Sequence, residues 1–322
     1  MNKIALVMPY FGKFPNYFQL WIDSAAKNAF IDFFVFTDND KSQYLQYPNI
    51  KWINMDFTEI KDRISNILPY KICLDKPYKL CDFRPLFGLI FESFISQYDF
   101  WGHCDADIIW GRLNYFLSED ILNLHDKIYD RGHLCLYRNT KEINRMILKE
   151  LKESYLSAEM VFRTKYSAHF DESFLLERYV KNMNLKVYRE VDCADVDYMF
   201  LDFYIVNKCR QRENIEYFEY RNGGVYGKKN NKLVEFAYVH LQKREMNYFF
   251  NKDFRLDNIY IYPNIFSLSN DNELENINTK KQKKNYHTKK NRELFIRKIN
   301  NIKNGALIFR MKHLGEIIRK WN

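Results

Sequence analysis

The chain has 322 residues, room for one large domain or two small ones. At 47% hydrophobic and 28% charged it can bury a sizeable core, which excludes global disorder. With 10 Gly and 7 Pro it is no collagen or propeller, and it holds no apolar run of about eighteen residues to span a bilayer. The net charge of +9 is unevenly spread: Thr279–Asn322 holds fourteen Lys and Arg against two Glu, so the rest of the chain is mildly acidic.

The opening MNKIALVMPYFG reads as a first strand, Ile4–Met8, stopped by Pro9, rather than as a signal peptide. Pro15 opens a helix to about Phe30, with Phe18, Trp21, Ile22 and Ala25 at helical spacing. Asp32–Thr37 is a second strand, stopped by Asp38-Asn39-Asp40, and Ile50–Met55 a third. Pro85–Gln97 is apolar almost all round and reads as a buried helix. Tyr98–Cys104 is the next strand and runs into Asp105-Ala106-Asp107; Gly132–Tyr137 and Leu233–Val239 are further strands. Cysteines at 73, 81, 104, 135, 193 and 209 form no CxxC pair, which argues against a zinc ribbon or disulfide scaffold and for a reducing cytoplasm. The alternation predicts an α/β fold, a mainly parallel sheet with helices on both faces. In such sheets ligands bind beyond the carboxyl ends of the strands, here Pro9–Lys13, Thr37–Asp40, Asp105–Asp107 and His240–Arg244.

Two carboxylates one residue apart at a strand end can both face a cleft, hold a divalent cation through oxygen, and let it bridge a diphosphate. The spacing alone is weak: with 22 Asp, chance supplies one or two such pairs, and three occur, Asp38/Asp40, Asp105/Asp107 and Asp195/Asp197. Only Asp105/Asp107 follows a buried central strand. A solvated turn or helix cap is the competing explanation for any of them.

Several blocks in order make the chain recognisable: MPYFGKFPNYFQLW (8–21), FTD (36–38), PYKLCDFRPLFG (77–88), YDFWGHCDADIIWG (98–111), RGHLCLYRN (131–139), FDE (170–172) and YVHLQKR (238–244). Over roughly residues 3–245 it resembles a bacterial glycosyltransferase family of capsule and surface-polysaccharide gene clusters, often catalogued only as a domain of unknown function. The resemblance implies an A-type (GT-A) fold, a Rossmann-like nucleotide half joined to an acceptor half. It implies transfer of a sugar from a nucleotide sugar, a UDP-sugar by expectation, to a saccharide hydroxyl. Carried over residue by residue, Asp105 would meet ribose or metal, and Asp107 the metal. His240 would complete the shell of Mn²⁺ or Mg²⁺, against the alternative of a satisfied core histidine. Lys243 and Arg244 would neutralise the leaving diphosphate, or else form a solvated basic turn. Tyr10 and Phe11 stand where the nucleobase stacks, or pack a loop, and Asp38 is placed to bond base or ribose. Lys79, Asp82 and Arg84 look like the charged cluster that A-type enzymes turn to nucleotide and sugar; an ion pair at a helix start is the alternative for Asp82 and Arg84. If the enzyme inverts, Asp171 or Glu172 would deprotonate the acceptor, against an N-cap role for Asp171. His103 and His133 are secondary candidates, His133 near the donor sugar.

By this reading the catalytic domain spans 1–268, residues 269–293 form a polar basic linker, and 294–322 form a basic amphipathic helical segment. In that segment Leu307, Met311, Leu314, Ile318 and Trp321 make one apolar stripe. Residues 280–322 suit an anionic membrane surface, which fits a lipid-linked acceptor and a peripheral location on the cytoplasmic face of the membrane. RNA binding through KKQKKNYHTKK, or docking on the body, are the rivals. A nucleic-acid-binding protein acting through this tail is the alternative function, and the acidic body counts against it.

Overall fold

The computed structural model describes residues 2–151, 154–206, 211–242, 244–248, 258–270 and 279–321. Its centre is a seven-stranded sheet built from β1 (Ile4–Pro9), β2 (Ile31–Thr37), β3 (Ile50–Asn54), β4 (Phe100–Cys104), β6 (Lys127–Arg131), β7 (Leu134–Arg138) and β8 (Val187–Tyr188), in the order β3-β2-β1-β4-β7-β6-β8. Strands β3, β2, β1 and β4 run parallel; β7 lies antiparallel between β4 and β6. The inner strands β1 and β2 carry apolar residues at nearly every position because both faces are covered. Alternate residues of β1 divide accordingly: Ala5 and Val7 join the core with Phe83, Phe87 and Phe91, while Ile4, Leu6 and Met8 join that with Phe18, Trp21 and Trp110. This is the α/β architecture expected from the alternation of elements.

Several element boundaries differ from expectation. The first helix is shorter, Phe18–Ala26. The stretch 85–97 is not one helix: 3₁₀ turns cover Pro77–Leu86, then two single turns, Phe87–Ile90 and Glu92–Ile95. Pro85 lies inside the turns and has no N–H for a helical ladder. Residues 132–137 belong to a hairpin, β6–β7, whose register shifts between Ile128 and Arg131 around a left-handed Tyr129 (φ 64°). Residues 233–239 form two strands, β14 (Lys232–Phe236) and β15 (Tyr238–His240), which switch sheets at Ala237.

That switch builds the site. β15 pairs antiparallel with β5 (Ile108–Trp110) and parallel with β9 (Ala194–Asp195), a small sheet set against the carboxyl ends of β1 and β4. Beyond it, β12 (Phe218–Arg221), β13 (Gly224–Lys229) and β14 join β16 (Asn247–Tyr248), β17 (Asn258–Tyr262) and β18 (Ile265–Ser267) in a six-stranded sheet, while β10 (Phe203–Val206) and β11 (Arg212–Ile215) form a ribbon. Their apolar sides make a third core around Tyr17, Ile109, Phe218 and Phe266. Gly102 in β4 lets the central strands close: a Cβ there would stand 2.3 Å from the Cys135 carbonyl oxygen.

The segment read as a linker to residue 293 is helical from Lys280. A helix over Lys280–Lys303 starts on a capping box, the Thr279 hydroxyl accepting from Gln282 N–H while the Gln282 side chain accepts from Thr279 N–H. A second helix, Ala306–Trp321, follows. Both dock on the body: Tyr286 and His287 reach the carbonyls of Tyr198 and Met199, Lys283 pairs with Asp202, Phe309 packs on Tyr166 and His313 on Phe174. No described helix is long and apolar enough to cross a membrane.

Candidate active site

The order β3-β2-β1-β4 reverses direction at β1, so the loops leaving β1 and β4 part and open a crevice at their carboxyl ends. Asp105-Ala106-Asp107 fills the step from β4 to β5, and its backbone is fastened from three sides. The Trp21 indole N–H donates to the Asp105 carbonyl (3.0 Å), Asp105 N–H donates to the His133 carbonyl (3.1 Å), and Leu241 N–H donates to the Asp107 carbonyl (2.9 Å). Pairing of β15 with β5 sets His240 opposite Ile108, so its Nε2 lies 3.2 Å from Asp107 Oδ1 and 3.8 Å from Asp105 Oδ2. The ligand atoms of the three residues lie within 4.8 Å of one another. Two hard carboxylates and one imidazole form a donor set that fits a divalent cation. Although burial opposes its charge, the carboxylates of Asp107 and Asp195 raise the His240 pKa to about 10.

Arg84 ties this cluster to the acidic pair downstream. Its guanidinium donates to Asp105 Oδ1, to Asp171 Oδ2 (2.7 Å) and to the Gly132 carbonyl. Of the two acids, Asp171 is buried, and burial pushes its pKa up to about 7 against the pull of Arg84. Glu172 stays open, its side chain 47% exposed, with Oε2 accepting from Gly132 N–H at 3.3 Å. A Cβ at Gly132 would stand 2.9 Å from Asp171 Oδ2 and 3.2 Å from Glu172 Oε2, so a larger residue there would push these carboxylates aside. The two acids sit in a 3₁₀ turn after a left-handed His169 (φ 51°), and Ser173, not Asp171, caps the helix Phe174–Asn182 by accepting from Leu176 N–H.

The other candidates divide. Tyr10 lies near the pair, where burial first and then the charges of Asp107 and Asp105 raise its phenol pKa; its ring stacks on Phe14. Phe11 packs instead against Phe57. Asp38 is exposed at the end of β2. Lys79 and Asp82 do not face the crevice. They form a buried pair at 2.8 Å, Lys79 also donating to the carbonyls of Val161 and Tyr166, and Asp82 accepting from the N–H groups of Ala168 and Phe170. Arg244 is likewise buried rather than in a solvated turn, its guanidinium bonded to the carbonyls of Asp197, Phe200 and Leu201. Lys243 lies outside the described residues. His103 is buried on β4, where burial and the Arg84 charge hold its pKa well below the usual value. His133 enters the cluster, its ring centroid 4.5 Å from that of His240 and its Nδ1 2.8 Å from the Tyr238 hydroxyl; burial and the His240 charge push its pKa down to about 3.

Sequence reasoning missed Asp195 and Gln242. Asp195 belongs to the third Asp-x-Asp match, which no preceding buried strand singles out in the sequence, yet β9 lays it beside His240; Asp197 turns away to Arg212. The molecule is an α/β protein with paired carboxylates and an imidazole at its topological switch point. The chain belongs to a family of unknown function, DUF6625, which matches residues 6–271. No curated protein matches it. Among solved structures it is similar to the galactosyltransferase LgtC in complex with donor and acceptor sugar analogs, at 10% identity and a TM-score of 0.35, over 60% of this chain and 75% of that one. It is also similar to the glycosyltransferase GlyE of Streptococcus pneumoniae TIGR4, at 14% identity and a TM-score of 0.29, over 59% of this chain. The match spans about half of GlyE, 55% of its length.

Proposed function

We propose that the protein is a metal-dependent glycosyltransferase that moves a sugar from a nucleotide sugar, by expectation a UDP-sugar, to a saccharide hydroxyl during assembly of a bacterial surface polysaccharide. The observation that carries this reading is the convergence of Asp105, Asp107 and His240 at the switch point, with an open Glu172 linked to it through Gly132, Asp171 and Arg84. Asp105, Asp107 and His240 would hold the cation; a mixed oxygen and imidazole set favours Mn²⁺ over Mg²⁺. When bound, the cation neutralises charge on a departing diphosphate. Tyr10, just after β1, would stack on a base with the ring face turned away from Phe14. Glu172 is the stronger candidate for acceptor base, because the Asp171 carboxylate is committed to Arg84.

The test is a thermal-shift panel of UDP, GDP, CDP and dTDP, each with and without Mn²⁺. One nucleotide is expected to raise the midpoint only with metal, by several degrees at a hundredfold excess over Kd, where binding contributes about 2.7 kcal/mol. No rise with any of the four would overturn the reading.

The tail supports a location at the inner face of the membrane. Each of its helices docks one face on the body and turns an apolar row the other way. Phe295, Ile296, Ile299 and Ile302 on the first, and Leu307, Ile308, Met311 and Leu314 on the second, are 39–71% exposed and interspersed with Lys and Arg. We expect the protein to sediment with vesicles that mix phosphatidylglycerol into phosphatidylcholine. Attraction of about 1 kcal/mol per basic residue near the surface should fade at high salt. Equal sedimentation with pure phosphatidylcholine would sink the electrostatic part of this reading.

A further inference from the structure

We infer that Asp195 is a positioning residue that fixes the ring of His240 for cation binding; the role rests on the metal reading above. His240 and Asp195 share one rung of the small sheet, and Val196 N–H donates to the His240 carbonyl, so their backbones are locked together. Asp195 Oδ1 lies 2.8 Å from His240 Nδ1. A carboxylate can only accept, so Nδ1 carries the proton and the ring's Nε2 is left toward Asp107 and Asp105.

The carboxylate is itself held in place. Gln242 Nε2 donates to the same Oδ1 at 2.7 Å, while Arg131 and His133 face Oδ2 at 3.6 and 3.7 Å. Gln242 reaches back by taking a left-handed backbone (φ 50°), a conformation that costs a non-glycine residue free energy and here serves to bring its amide to Asp195. Arg131 and His133 come from the β6–β7 turn that Arg84 and Glu172 also grip through Gly132. His133, Asp195 and His240 also bring ligand atoms within 4.8 Å of one another. With the His240 ring already shared with Asp107, this second group is better explained as the outer support of the first.

The test is a double-mutant cycle read by electron paramagnetic resonance of free Mn²⁺, with Mn²⁺ alone as probe. Asp195→Asn is expected to weaken Mn²⁺ binding about 10- to 100-fold; the Asp195 carboxylate also supports the His240 charge, so the metal-free midpoint is expected to fall, and binding is compared at a temperature where both proteins remain folded. In a His240→Ala background the same change should have no further effect, because Asp195 acts through that ring. Asp195→Ser, should the Asn variant not fold, is expected to give the same pair of results. Binding by Asp195→Asn within twofold of wild type, or independent losses that multiply in the double variant, would overturn the role. If the wild type binds no Mn²⁺, the metal reading falls and this role with it; if only the cycle fails, the metal reading stands.

Discussion

Replacing Asp107 by Ala will abolish metal-dependent nucleotide binding and lower sugar transfer by on the order of a thousandfold or more. A bound cation supplies several kcal/mol of charge stabilisation, and each 1.36 kcal/mol is a factor of ten. The change removes one of two carboxylates in the proposed set of three ligands, and it leaves His240 Nε2 without the Asp107 carboxylate at 3.2 Å. The matched control is Glu172→Gln, which should retain metal-dependent nucleotide binding and lose transfer by about 10²- to 10⁴-fold, the usual worth of a general base. Thermal shift and a transfer assay on both variants separate the two roles. Asp107→Ala with unchanged binding would refute the assignment of the cation site. Glu172→Gln with full turnover would pass the base role to Asp171 or remove it.

Lys79→Met will destabilise the protein by about 3–5 kcal/mol, which corresponds to a fall of roughly 10 °C in Tm. The Lys79 ammonium and the Asp82 carboxylate are both buried, and removing one partner strands the other in the interior. The loss reaches the crevice, because the pair pins 166–170, the segment that ends in Asp171 and Glu172. Adding Asp82→Asn to Lys79→Met should recover part of the stability by removing the stranded charge. Thermal unfolding of the single and double variants checks this. A loss below about 1 kcal/mol for Lys79→Met would mean that the pair contributes little.

The parallel strands were readable from sequence because each is a short apolar run closed by a turn residue, and Asp105 and Asp107 stood out because they follow the most deeply buried of them. His240 was legible only through the resemblance. What brings it to Asp107 is the pairing of β15 with β5, a long-range choice that leaves no local mark. The same pairing explains why Asp195 looked like a chance match. The charged cluster of 79–84 shows the opposite limit: three ionisable residues in six positions looked like one functional unit, yet the 3₁₀ turns send Lys79 and Asp82 inward and Arg84 into the crevice. In the tail, composition argued for a linker, but Thr279 and Gln282 carried a capping signature that outweighs a polar surface.

The switch of sheets at Ala237 also sets the order in which the crevice can come into being. Asp105 and Asp107 lie just beyond β4, whose parallel neighbour β1 precedes it in the chain, whereas β15 must travel back across more than a hundred residues to reach β5. Closing so wide a loop costs entropy before the pairing gives anything back, so this contact is expected to form late. During synthesis the acidic pair emerges long before its imidazole. A nascent chain therefore presents the two carboxylates before His240 can join them, so the proposed cation site is complete only after β15 has been made and paired with β5.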